Sequence, residues 1–181
     1  MLPRYREEKA TQAAARLIQR KGGHLDVLSL MKLLYFVERR ALVKWGRPIT
    51  FDSYVSMPHG PVLSFTLNLV NFERDPANPG YWHRHISERR GNDVCLIGDA
   101  PNDQLSAAEE QLIDDVFAEL GHLSRWQLRD LSHNLPEWRD PEGSSKPITI
   151  RDILLTEGLN SDEIQEVEDA LAAEAAAEEL S

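Results

Sequence analysis

The chain has 181 residues, 41% of them apolar, which is enough to close one ordinary hydrophobic core without a staple. Its single cysteine, Cys95, excludes an internal disulfide framework and fits a reducing, cytoplasmic setting. Net charge is −10, and it is unevenly placed: every lysine and arginine lies at or before Arg151, whereas Asp152, Glu157, Asp162, Glu163, Glu166, Glu168, Asp169, Glu174, Glu178 and Glu179 follow it. Neutralising phosphates takes Lys or Arg, so direct nucleic-acid binding by that segment is not expected, and a basic partner protein is its natural complement. No stretch approaches the roughly 18 apolar residues of a membrane span, and the opening residues carry no apolar run of a leader.

The first periodic stretch, Tyr5 to Arg20, places Ala10, Ala14, Leu17 and Ile18 on one face and stops at Gly22-Gly23. A second helix is predicted from about Asp26 to Trp45. Its apolar residues, including Leu28, Met31, Leu34, Tyr35 and Leu42 with Leu33 and Phe36 beside them, cover most of its circumference, which predicts a central position. Gly46 ends it. Helical period is then lost, and Ile49, Phe51, Tyr54, Val55 and Met57 form an irregular apolar segment read as a packed loop or short strand. Gly60-Pro61 reads as the start of a third helix running to Glu73, since proline at the first helical position lacks only an unpaired N–H.

After the turn-rich Asp75–Gly80, two alternating runs, Tyr81–Glu88 and Val94–Ile97, flank Arg90-Gly-Asn-Asp93 and predict an antiparallel hairpin whose Trp82 and Ile86 dock onto helices. Ser106-Ala-Ala-Glu109 and Ser124-Arg-Trp-Gln127 are capping boxes opening two more helices, separated by Gly121. Beyond the polar loop 141–147, a last amphipathic unit carries Ile150, Ile153 and Leu154, then Ser161 as a cap before Ile164, Val167 and Leu171. The alanine-glutamate run after Leu171 has high helix propensity but no apolar face, so it is expected to fray. The fold class expected is mainly α with a small antiparallel β-hairpin, one compact domain over 1–158 and an acidic, alanine-rich, partly disordered helix or tail over 159–181.

Candidate chemistry is sparse. His83 and His85 in an extended run point to one side and suit metal ligation, but a third ligand rests on a guessed register with Cys95, so no metal or other cofactor is assigned. Ser132-His133 are adjacent on a helix and point apart, which does not suit a nucleophile and its base, and no phosphate-cradling glycine loop or nucleophile elbow is present. No catalytic residue is therefore named. His59 before Gly60-Pro61 reads either as an anion contact at a helix start or as a structural turn. His133 and Trp138 read as packing or capping residues. The four tryptophans read as core, with an exposed pair being a binding hot spot. Arg39-Arg40 and Arg89-Arg90 are the local basic patches.

Lys32-Leu33-Leu34-Tyr35-Phe36, then Gly46-Arg-Pro-Ile-Thr50, then Met57-Pro-His59-Gly60-Pro61-Val62 resembles the first half of the Panacea (SocA-like antitoxin) domain. Leu105-Ser106 with Glu109, Ile113-Asp114, Val116, Gly121, Leu128, Leu131-Ser132-His133 and Trp138 resembles its second half, so the resemblance spans about residues 25 to 140. It implies a non-enzymatic antitoxin of a bacterial or phage toxin-antitoxin pair, encoded beside a variable toxin and neutralising it by direct protein contact. The alternative it implies is an adaptor delivering the toxin to an ATP-dependent protease, and an uncharacterised enzyme or DNA-binding regulator is the remaining reading. The motif residues Lys32, Leu33, Leu34, Tyr35, His59, Gly60, Pro61, Val62, His133 and Trp138 are then structural or partner-binding. Contacts to the toxin are expected at Tyr54, Met57 and Trp82, or at Glu163 and Glu166 on the acidic segment, which matches no family motif.

Overall fold

Helix α2 (Val27–Trp45) is the axis around which the other elements pack, because Leu30, Met31, Leu33, Leu34, Tyr35, Val37, Ala41 and Leu42 bury nearly its whole circumference. A computed structural model describes residues 1–181. Asp26 caps α2 by accepting a hydrogen bond from the Ser29 N–H at 2.9 Å, and Gly46, at φ +70°, closes its C-terminus with an N–H bond to Leu42 O. Against α2 lie α1 (Glu7–Arg20), α5 (Ala107–Leu120), α6 (Arg125–His133) and the short α7 (Ile150–Thr156). Both predicted capping boxes form, with Ser106 and Ser124 accepting from the N–H groups of Glu109 and Gln127 and those side chains returning the contact.

The strands are short and serve to fasten loops to this helical frame. Strand β1 (His24–Asp26) pairs antiparallel with β4 (Asp93–Cys95), and β2 (Tyr54–Met57) lies between β3 (Gly60–Leu63) and β5 (Lys146–Ile148) in a second antiparallel sheet. The architecture is α+β and mainly helical, as expected from periodicity. The main hairpin, however, is elsewhere in the chain.

Two sequence expectations change here. Gly60-Pro61 does not start a helix: Pro61 sits in edge strand β3 opposite Ser56, where its missing N–H costs no ladder bond, and α3 begins only at Ser64 and ends at Asn71. The run Tyr81–His85 forms a one-turn helix, α4, instead of a strand. The arms after it meet only at isolated bridges, Ile86 with Leu96 and Arg90 with Asp93, and β4 takes β1 as its partner. The docking role was sound, since Trp82 and Ile86 are both fully buried.

The acidic end also differs from expectation. Helix α8 (Ser161–Glu179), capped by Asn160 and not by Ser161, continues past Leu171, burying Leu171 and Ala175. Arg6 Nη2 donates to Glu174 Oε1 and Glu178 Oε1 at 2.7 Å, and Arg47 Nη2 donates to Glu174 at 2.5 Å. Arg151 pairs with Glu168, and Arg39 with Glu157. Four of the ten carboxylates are therefore compensated by arginines from earlier in the chain, and the helix is docked where fraying was expected.

Candidate functional site

Three charged residues of the frame are buried, and each has a local cause. Lys32, on the inner face of α2, has no exposed surface, and its Nζ donates to Pro61 O at 2.7 Å with no carboxylate in contact. Burial alone holds its pKa down at about 7, because the ammonium loses its hydration without gaining a counter-ion. Glu38, two turns along, accepts from the N–H groups of Ile49 and Thr50 and from the Tyr54 hydroxyl. Desolvation pushes it up to about 7 despite those donors, which act in the opposite direction. Asp52, raised likewise by burial, gathers the N–H groups of Ser53, Phe65 and Thr66 and so starts α3. Beside these, Glu137 accepts from Tyr35 and Arg39, tying the segment after α6 to α2.

Gly60 is the tightest point of the hairpin. Its φ is +103°, and a Cβ built there would lie 2.4 Å from Ser132 Oγ and 3.0 Å from Lys32 Nζ. Glycine is thus needed both for backbone conformation and for the close approach of β3 to α2 and α6. The Ser132 hydroxyl donates back to Arg129 O at 2.7 Å, within its own helix. Next to it His133 stacks on Trp138, with centroids 4.1 Å apart and rings 17° from parallel, and Trp138 Nε1 donates to Met57 O at 3.0 Å. Desolvation lowers the His133 pKa, which favours a neutral ring for stacking. Residues separated by a hundred positions thereby clamp one hairpin from both sides.

The hairpin forms one wall of the largest cleft, an open concavity of about 440 Å³. Its floor comes from Val27, Met31 and Lys32 of α2, and Met57, His59 and Val62 line the hairpin side. Leu67 and Asn71 of α3, Arg89 and Asn92 of the loop before β4, and Arg125 and Trp126 of α6 close the other sides. Trp126 is 47% exposed, a large apolar surface for a soluble side chain. The guanidinium carbons of Arg125 and Arg129 each lie 4.9 Å from its ring centroid, which holds the indole in place.

The structure brings together Lys32, Met57, His59, Gly60 and Val62 at this cleft, with Pro61, His133 and Trp138 supporting it from behind. Leu33, Leu34 and Tyr35 are core. Tyr54 and Trp82 offer no surface to a partner: Tyr54 is buried with its hydroxyl on Glu38, and Trp82 is packed under α4 against α1. Glu163 and Glu166 are exposed on α8, away from the cleft lining, and Glu163 is engaged in the capping box of that helix. His83 and His85 no longer share a strand face, and no group of three or more His, Cys, Asp or Glu side chains is placed to hold a metal. No helix is long and apolar enough to cross a membrane. Arg39 and Arg40 are paired with carboxylates, which removes that basic patch, whereas Arg89 is not.

Sequence reasoning missed Trp126, Arg125, Arg89 and Asn92 as members of a site. The available signal was in the second capping box: Trp126 falls just inside the helix start and off the stripe that carries the buried Leu128.

Fold and site together define a small, mainly helical domain with a clamped hairpin beside an arginine-flanked cleft. The family model of the antitoxin SocA-like Panacea domain matches residues 30–139, and the chain belongs to that family of antitoxin-type proteins. No curated protein and no solved structure gives a significant match to the chain. The matched segment contains the whole of α2, the β2–β3 hairpin, α5, α6 and Trp138, the elements that build the cleft and its clamp.

Proposed function

We propose that the protein is the antitoxin of a toxin-antitoxin pair and neutralises its toxin by direct, non-covalent binding at the cleft between the β2–β3 hairpin and α6, without catalysing a reaction. Membership of the SocA-like Panacea family carries this reading. The site supports it in a specific way. The family-motif residues do not converge on a nucleophile, a base or a metal set; they stiffen a hairpin and an exposed tryptophan on opposite sides of one concavity. A rigid aromatic anchor rimmed by arginines is the composition of a protein-binding hot spot.

The test is co-expression with the neighbouring toxin gene. Wild-type protein restores growth and copurifies with the toxin in fixed stoichiometry, whereas Trp126→Ala retains its fold but loses rescue. Growth arrest that persists with wild-type protein expressed and folded sinks the proposal. Measuring toxin half-life in the same cells, with their proteases intact, separates inhibition by occupancy from delivery to a protease: occupancy leaves the half-life unchanged or longer, and delivery shortens it.

A further inference from the structure

The cleft differs in charge from the molecule that surrounds it. The chain carries 30 acidic against 20 basic side chains, yet the charged residues lining the cleft are Lys32, Arg89 and Arg125 against Asp26 alone. Asp26 is committed to the cap of α2, where its carboxylate accepts from the Ser29 N–H. Neither Arg89 nor Arg125 pairs with a carboxylate: Arg89 donates to Gly91 O, Asn71 Oδ1 and Asn92 Oδ1, and Arg125 lies over the Trp126 ring. Most other arginines of the frame, among them Arg6, Arg16, Arg39, Arg47 and Arg151, are satisfied by an acid. The two cleft arginines are held in place by neutral partners and left without a counter-charge, beside an apolar floor of Val27, Met31 and Leu67.

From this geometry we infer that the cleft receives an acidic, partly apolar segment of the toxin, its carboxylates meeting Arg89 and Arg125 while an aliphatic or aromatic side chain enters between Met57 and Trp126. This rests on the neutralisation reading and adds the chemistry of the partner. It reverses the expectation taken from net charge, that the acidic C-terminal segment meets a basic toxin. Planar guanidinium groups suit bidentate capture of carboxylates, and charges at an interface of this kind govern partner choice and association rate.

The test uses the full chain, immobilised, to select from a phage-displayed library of random octapeptides. Wild-type protein is expected to enrich sequences with Asp or Glu next to a large apolar residue. The double variant Arg89→Glu/Arg125→Glu is expected to lose that enrichment and to select Lys or Arg. Both positions are at the surface without ion pairs, so the double variant should melt like wild type in a thermal scan. A selected acidic peptide is expected to bind wild type at least tenfold more tightly than the double variant, to weaken as salt rises from 50 to 300 mM, on the order expected for exposed charge pairs, and to displace the toxin from a preformed complex.

Selection of basic or neutral peptides by wild type overturns the inference, as does identical selection by the two proteins. So does binding of small anions such as phosphate at the cleft with no effect on the toxin complex. If the toxin complex forms and survives both the double charge reversal and saturating acidic peptide, the charge inference falls while neutralisation stands. If no complex with the toxin forms at all, both fall.

Discussion

Replacing Gly60 by alanine probes the closest contact in the clamp. Two costs add. At φ +103° an L-residue is strained by roughly 1–2 kcal/mol, the penalty of the left-handed region. The new methyl would sit 2.4 Å from Ser132 Oγ and 3.0 Å from Lys32 Nζ, and overpacking of a filled interior costs about 1–3 kcal/mol. The sum, about 2–5 kcal/mol, is a large share of the 5–15 kcal/mol or so that holds a typical domain together. With a urea dependence of about 2 kcal/mol/M, the unfolding midpoint should fall by about 1–2.5 M, followed by far-ultraviolet circular dichroism. The lysine end is flexible and can shift, but Ser132 is held by its bond to Arg129 O, so most of the clash lies with the hydroxyl. The double variant Gly60→Ala/Ser132→Ala should therefore be less destabilised than the sum of its parts by about 1 kcal/mol or more. A Gly60→Ala midpoint within about 0.2 M of wild type would refute the reasoning, and additive effects in the double variant would remove Ser132 from it.

Lys32→Met should make stability less dependent on pH. Because the folded pKa is about 7 against 10.5 for the free side chain, the unfolded chain holds a proton between those values that the folded chain gives up, so the lysine's contribution rises with pH across that window and its penalty is full below it. Urea midpoints at pH 7 and pH 10 should thus show wild type gaining on the variant by up to about 1.4 kcal/mol per pH unit, and a constant difference would contradict the assignment. The paired substitution Arg6→Ala/Arg47→Ala should release the end of α8: amide exchange over 172–179 speeds up while global stability changes by no more than about 1 kcal/mol, since these ion pairs are partly exposed. Unchanged exchange there would mean that Leu171 and Ala175 hold the helix unaided. Trp82→Ala should unfold the protein by about 3–5 kcal/mol, whereas Trp126→Ala should cost under about 0.5 kcal/mol, so the two tryptophans separate loss of fold from loss of binding in one thermal-shift experiment.

Helices with long, clean periodicity and side-chain caps were legible from sequence. Asp26 and Gly46 bracket α2, and Ser106 and Ser124 open α5 and α6, because capping is a local interaction written in neighbouring residues. The hairpin was misplaced because Gly60-Pro61 suits a helix start locally. Its actual state is decided by distant groups: Trp138 on Met57 O, Lys32 on Pro61 O and β5 on β2. Five residues of alternation at Tyr81–His85 fit one turn of helix as well as a strand, and burial of Trp82 against α1 chose the helix. Docking of α8 was invisible for a related reason. Arg6 and Arg47 reach Glu174 from across the chain, and net charge counted by segment says nothing about pairing in space.

The family motif was legible as a string of residues but not as a site. Its lysine, hairpin glycine, histidine and tryptophan prove to be parts of one clamp, and the surface that the clamp presents is completed by residues outside the quoted motif, Arg89, Arg125 and Trp126. Exposure of Trp126 depends on where α6 crosses α2, which only the packed structure specifies.

The most direct test of toxin binding at this cleft is a calorimetric titration of the purified protein with its neighbouring toxin, comparing wild type with Trp126→Ala. A saturable complex weakened about thirtyfold or more by the alanine, the loss of a hot-spot side chain worth about 2 kcal/mol, is the predicted result. Equal affinity for the two proteins, with both folded, would contradict it.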